Sequence, residues 1–337
     1  MYLISPNKKQ YKANLHSHST MSDGSCTPEM LCTMYKNHGY SILAITDHER
    51  PYDHTALGDG DFLLLTGYEA YIRPSPTCEY DVYSPEVHLN LFARDPHNTT
   101  IICYNRVCCK YITPEEHDTL PRAGSERPRE YTREYVNEFI RTAADNGYIV
   151  AYNHPYWSME SEEDILRTEG FFSMEMVNYN SYLSSRLEHN GALYDRLLTE
   201  GRRVFCHGTD DNHNRFPEGH PGFDSFGGFT MIMADSLTYE DVFSAMERGD
   251  MYSSMGPVIK SAEYKDGTLH VECSPATAVI AYTGRKHPAR VLGTADSPVT
   301  SADIQIDREA KYLRISIVDS NGRWADTRGF TRAELGL

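Results

Sequence analysis

The chain has 337 residues, 40% of them apolar and 24% charged, and a formal net charge of -16, which suits a folded protein with a sizeable core and room for one large α/β domain plus a small one. So acidic a chain offers no basic face to long nucleic acid, and no stretch approaches a membrane span. A small molecule is the expected partner, and an anionic one fits if bound cations supply local positive charge.

Met1 to Lys12 lacks the apolar core of a secretory leader, so the expected location is the cytoplasm. The eight cysteines are irregularly spaced with no Cys-x-x-Cys pair, and reduced thiols are the expectation there, with the adjacent Cys108-Cys109 incidental. The first chemical signal is Asn14-Leu15-His16-Ser17-His18. Residues i and i+2 of a strand share a side, so His16 and His18 present two imidazoles together, and Asp23 arrives in the following turn.

Thr27-Pro28-Glu29 opens a helix with a good N-cap, proline in the first turn and an early acid, and Gly39 ends it. The apolar run 40–46 reads as a buried strand with Asp47 and His48 at its carboxyl end. Strand 62–67 delivers Glu69, and strand 86–92 carries His88 and Asn90 on one face. Residues 94–128 hold four prolines and mixed charge and read as a surface excursion or lid.

Helix 131–146 then leads to strand 148–152 and Asn153-His154-Pro155. A short helix at 162–167, strand 172–177 ending at Asn178, helix 191–200 and strand 203–206 follow. The last strand's tip is 207–213, with Asp211 and His213 repeating the i, i+2 arrangement. Strand 229–234 and helix 238–248 complete a series whose alternation predicts a β/α barrel over residues 1–257. Beyond Gly256-Pro257, short alternating strands separated by Asp266-Gly267, Thr283-Gly284 and Asn321-Gly322 predict a small all-β, sandwich-like domain at 258–337.

Collected from the strand ends, His16, His18, Asp23, His48, Glu69, His88, His154, Asp211 and His213 are too many ligands for one ion and suit two or three. Mixed imidazole and carboxylate donors favour Zn, Mn or Fe over Ca or Mg. Asp47, Asp210 and His207 are candidates for relaying protons or orienting imidazoles. Asn178, Arg186 and His189 are candidates to touch a substrate phosphate, ahead of Arg50, Arg73 and Arg215.

The series His16-x-His18, Asp23, Thr46-Asp47-His48, Glu69, His88, Asn153-His154-Pro155 and Asp211-x-His213 resembles the polymerase and histidinol phosphatase (PHP) domain over about residues 14–257. The resemblance implies a distorted seven-stranded β/α barrel with a trinuclear metal site and phosphoesterase activity. It implies one ion on His16, His18, Glu69 and Asp211, a second on Glu69, His88 and His154, and a third on Asp23, His48 and His213. Many members place His where this chain has Asp23. Glu175, Asn178 and Asn190 resemble a subgroup of phosphoesterase-like members with a β tail.

The expected reaction is hydrolysis of a small phosphorylated compound by a metal-bridging hydroxide, since coordination brings the pKa of water to about 7. Hydrolysis of a carboxylic ester, carbamate or amide is the alternative on the same ions. A non-catalytic metal-stabilised module, binding glycans through the β tail, is the alternative of another class.

Overall fold

A computed structural model describes residues 1–337. β1 (Tyr2–Ile4) and β2 (Lys9–Asn14) precede α1 (Pro28–Asn37), whose N-cap Thr27 accepts the Met30 amide. β3 (Ile42–Ile45) and β5 (Val87–Ala93) are buried at every position, and β4 (Leu63–Ile72) at all but its first. Such runs suit strands covered on both faces. The short pair β6 (Ile101–Ile102) and β7 (Arg122–Ala123) lies within the insertion. After it come α2 (Arg133–Asp145), β8 (Tyr148–Tyr152), α3 (Glu162–Arg167) and β9 (Ser173–Asn178). α4 (Tyr179–Ser185) follows without a gap, capped by Asn178, and α5 (Gly191–Thr199), β10 (Phe205–Thr209), β11 (Phe229–Ala234), α6 (Tyr239–Arg248) and β12 (Met251–Ser254) complete this part.

The remainder is nearly all strand: β13 (Ile259–Lys265), β14 (Thr268–Ala276), β15 (Ala278–Tyr282), β16 (Ala289–Leu292), β17 (Val299–Gln305), β18 (Tyr312–Val318), β19 (Trp324–Thr327) and β20 (Phe330–Thr331), then α7 (Arg332–Leu335). Asp266 and Gly267, both at positive φ, turn β13 into β14 as the Asp-Gly signal predicts.

The main sheet is mixed and runs β10-β9-β8-β5-β4-β3-β2-β11-β12-β19-β18-β15-β16. This differs from the expected β/α barrel in the direction of β11, which runs antiparallel to β2, and in two further ways. First, β5 is antiparallel to both β4 and β8, because the connection 73–86 carries no helix and the chain doubles back. Second, the backbone ladder does not close between β10 and β11. Instead the Gly208 amide donates to Thr230 Oγ1 at 3.1 Å, and that hydroxyl donates to the Gly208 carbonyl at 2.8 Å. A glycine is required for this approach, since a Cβ at 208 would lie 2.6 Å from Ser253 Oγ and 2.7 Å from the Phe229 carbonyl oxygen.

A second sheet, β1-β13-β14-β17, packs on the C-terminal strands through Ile4, Ile259, Leu269, Val271, Ile315 and Ile317. The ladder between β12 and β19 carries the main sheet across residue 257 without a break.

The insertion is ordered. Ile101, Tyr104, Cys109 and Ile112 form its own small core, and Arg129 is buried in an ion pair with Glu49 at 2.7 Å. Contrary to the expectation of reduced thiols throughout, Cys78 and Cys108 are joined, fastening the insertion to the 73–86 connection; the other six cysteines are free and buried. No helix is long and apolar enough to cross a membrane.

Candidate metal centre

β2 ends at Asn14, but Ser17 bridges Asn212 and keeps the chain extended. His16 and His18 consequently face the same way, with their Nε2 atoms 3.2 Å apart. Glu69 sits inside β4 rather than beyond it. His88 lies at the amino end of β5, and only the reversed direction of that strand brings it to the rim where β3 and β8 terminate. His154 and Asp211 both adopt positive φ immediately after β8 and β10. Backbone in that region costs about 1–3 kcal/mol for a residue with a side chain and persists where its surroundings hold it. The His154 amide donates to Glu175 Oε2 at 2.7 Å, and the Asp211 amide to the His16 carbonyl at 2.9 Å.

Glu69 is the centre of the cluster. Its Oε1 lies 3.3 Å from His16 Nε2, 3.0 Å from His88 Nδ1 and 3.3 Å from His154 Nε2. Its Oε2 lies 3.4 Å from His18 Nε2 and 3.0 Å from His48 Nδ1. Asp211 Oδ1 approaches His16 Nε2 at 3.2 Å and His18 Nε2 at 3.0 Å. Asp23 Oδ1 stands 3.3 Å from His213 Nε2 and 3.7 Å from His48 Nε2, with His18 Nδ1 at 3.9 Å. The donor atoms fall into three neighbouring groups: His16, His18 and Glu69; Glu69, His88 and His154; and His18, Asp23, His48 and His213.

The electrostatics call for cations. Burial pushes the His18 imidazole down, yet Asp211 and Glu69 outweigh it and hold the group at about 10. His88 is held at about 9 by Glu69 and Glu86 against the same burial. Asp211 and Asp23, also desolvated, are driven well below the carboxylate range by the surrounding imidazoles. Asp23 Oδ1, His48 Nδ1 and His88 Nε2 are buried without a well-aligned hydrogen bond. Carboxylates that draw positive charge onto the imidazoles around them, with three buried polar atoms left unaligned, are what a set of ion ligands presents, so the residues fit a metal cluster.

A cavity of about 660 Å³ opens over the cluster, and Arg73, Tyr80, Lys110, Tyr111, Trp157 and Arg215 line its walls. Tyr111 stacks on His48 with ring centres 6.2 Å apart, and Trp157 packs edge-on against His154 at 4.8 Å. Lys110 Nζ and Arg73 both donate to the Cys78 carbonyl, at 3.2 and 3.1 Å.

Residues 14–152 match the family model of the PHP domain. This stretch belongs to the PHP domain family. None of the curated proteins matches the chain. Among solved structures, a two-domain protein from Bacteroides vulgatus containing a predicted PHP-like metal-dependent phosphoesterase is similar at 12% identity, with 96% of each chain covered and a TM-score of 0.47. An amidohydrolase from Chromobacterium violaceum is similar at 15% identity over 60% of this chain and 87% of its own, with a TM-score of 0.37.

Around the cluster the structure redistributes several expected roles. Asn178 does not face the cavity. It is fully buried and donates to Glu175 Oε2 at 2.9 Å and Asp211 Oδ2 at 3.0 Å, so it holds ligand-side carboxylates. His189 bonds Asp326 at 2.9 Å and packs on Trp324, away from the cluster. Arg186, at positive φ after α4, faces a different hollow. His207 is buried with Nδ1 3.0 Å from Ser173 Oγ, touches no member of the cluster, and is pushed down to about 4 by burial. Asp47 accepts from the Ser19 amide at 2.8 Å and from Ser22 Oγ at 2.6 Å, so it shapes the turn that carries Asp23. Asp210 accepts the amides of Phe226, Gly227 and Gly228 and organises the loop behind Asp211. Arg50 pairs with Glu116.

Glu175 has a larger part than its place in the sequence suggests. One oxygen takes His16 Nδ1 at 2.8 Å and Thr209 Oγ1 at 2.7 Å while the other takes the His154 amide and Asn178. It thereby fixes which nitrogen of His16 points inward. Asn153 Nδ2 likewise donates to Glu69 Oε1 at 2.8 Å. Lys110, Tyr111 and Trp157 were not foreseeable as cavity residues, because nothing local distinguishes them from other loop side chains.

Proposed function

We propose that the chain is a metal-dependent hydrolase, and within that class a phosphoesterase acting on a small phosphorylated compound. The observation that carries the reading is Glu69, a single buried carboxylate with five imidazoles within 3.4 Å, an arrangement suited to a ligand shared between ions. His16, His18, Glu69 and Asp211 would hold one ion, Glu69, His88 and His154 a second, and Asp23, His48 and His213 a third. Zn, Mn or Fe suits these donors. When bound, such ions polarise phosphoryl oxygens and activate water near neutral pH.

The protein's own side chains supply the rest. Lys110, together with Arg215, whose guanidinium reaches Asp23 Oδ2 at 3.3 Å, adds positive charge at the rim of an otherwise acidic chain, and this favours a phosphate over a neutral carboxyl ester. Tyr111 and Trp157 offer flat faces to the organic part and brace His48 and His154. Glu175 and Asn153 keep the ligands in register. On this reading residues 1–257 work as a barrel-like catalytic unit and residues 258–337 as a β domain attached to it.

The test is a metal-loaded sample assayed on p-nitrophenyl phosphate, bis-p-nitrophenyl phosphate and p-nitrophenyl acetate, with metal content measured in parallel. Phosphoester turnover that disappears together with metal in Glu69→Ala is the expected result. Preference for the acetate would point to the carboxyl ester reading. Inactivity on all three with the metals bound would favour a binding module, and turnover by metal-free Glu69→Ala would refute the assignment.

A further inference from the structure

α4 separates two hollows. Asn180 and Ser181 line the cavity over the metal cluster, whereas Tyr179, Tyr182 and Arg186 line a second hollow of about 330 Å³. Its other walls are the Ser225-Phe226-Gly227 segment, Met255 and the turn Asn321-Gly322-Arg323. Four separate parts of the chain therefore meet there. The wall is closely built at Tyr179, whose ring lies on Gly227 so tightly that a Cβ at 227 would come within 2.2 Å of it.

Two guanidiniums, Arg186 and Arg323, face this hollow. Neither is in an ion pair, whereas Arg314 and Arg328 in the same part of the molecule hold Asp195 and Glu334. Asp319, four residues before Arg323, gives Oδ1 to its own turn, where it accepts the Asn321 and Arg323 amides at 2.8 and 2.9 Å. Both guanidiniums bear on Tyr179. Burial raises that phenol, and Arg186 and Arg323 each draw it back. Unpaired cations on the walls of one hollow that Tyr179 and Tyr182 also line, in a chain with a net charge of -16, suit an anion from outside.

We infer that this hollow binds a phosphate-sized tetrahedral oxyanion between Arg186 and Arg323, separately from the metal cluster. Guanidinium forks match such oxygens in pairs, and the Tyr179 and Tyr182 hydroxyls are available as further donors. The ligand is either free orthophosphate or the phosphoryl group of a larger metabolite.

The chain has two tryptophans, Trp157 in the metal cavity and Trp324 beside Arg323, and this makes the two sites separable. In metal-loaded Trp157→Phe protein, titration with inorganic phosphate should change Trp324 emission saturably. Arg186→Gln and Arg323→Gln should each weaken the response at least tenfold, and together abolish it, while Trp157 emission in a Trp324→Phe protein keeps its own response. Glycerol 3-phosphate in place of orthophosphate tells which source binds better, and acetate should do nothing. Calorimetry with inorganic phosphate is the second measurement, with one binding event lost in the double variant. Identical isotherms for the double variant and the parent, or a Trp324 response that survives both substitutions in folded protein, would overturn the inference. Neither readout needs turnover, so the outcome is independent of the proposed activity.

Discussion

Glu175 never reaches the cavity, yet it receives His16, Thr209, Asn178 and the His154 amide at once. Partners of this kind set the tautomer and aim of a ligand, and their loss commonly lowers metal affinity or activity about 10–100-fold. Glu175→Gln should therefore fall in that range for metal dissociation measured against a chelator, while its circular dichroism stays that of the parent. His189→Gln should leave turnover unchanged, because His189 pairs with Asp326 far from the cluster.

Glu160 makes a pH prediction. Burial raises it to about 7, although Arg133 lies 2.7 Å away and Tyr131 donates to it. Between about 4.5 and 7 the folded chain then keeps a proton that the unfolded chain has released, so this contribution to stability falls as pH rises through that window. Urea unfolding of wild type against Glu160→Gln from pH 4.5 to 8 should show the wild type losing about 2–3 kcal/mol relative to the variant. A constant difference across the range would refute it.

The nine ligand candidates were legible from sequence because each follows or ends a recognisable apolar run. Nearness in sequence to Asn178 makes Arg186 and His189 look like phosphate contacts, and one helix is enough to mislead. α4 turns Arg186 and His189 away, and its composition, Tyr-Asn-Ser-Tyr-Leu-Ser-Ser, has too few strong helix formers to announce it.

Among elements, the insertion departs most from its sequence impression. Four prolines and mixed charge suggest a loose lid, but Arg129 spans back to Glu49, next to His48, and the pair is almost wholly excluded from solvent. Nothing local marks such a long-range buried pair. Removing one partner leaves a buried charge and typically costs about 3–5 kcal/mol. Arg129→Met should lower stability by that order and expose 94–128 to limited proteolysis, with Tyr111 displaced from His48 and turnover reduced. The β10–β11 seam gives a second test. Gly208→Val has no space between Ser253 and the Phe229 carbonyl, and overpacking of this kind costs about 1–3 kcal/mol or more. Equal urea midpoints for Gly208→Val and wild type would show that the two strands do not meet as described.

For the whole molecule, alternation of strands and helices was readable, but strand direction was not. Apolar runs look the same whichever way they point, so nothing in residues 86–92 announces that β5 is antiparallel to both neighbours. Continuity across residue 257 was equally invisible, since the ladder from β12 to β19 joins segments about seventy residues apart. Met233 and Tyr252 share a core with Ile259, Ile315 and Ile317. A chain ending at residue 257 should consequently expose that apolar surface and an unpaired β12 edge, and aggregate on size-exclusion chromatography. A monomeric, cooperatively unfolding fragment would contradict this.

The reversed β5 has one more consequence. Glu69 and His88 belong to a single hairpin whose connecting segment, residues 73–86, hangs over the entrance and supplies Arg73 and Tyr80 to it. Its length and composition can be rewritten without shifting either ligand, because both are anchored in paired backbone below. A chain built this way can exchange its gatekeepers and keep its ligands, and on the proposed reading grafting foreign sequence into 79–85, which spares Cys78 and its link to Cys108, is the shortest route to a changed substrate range.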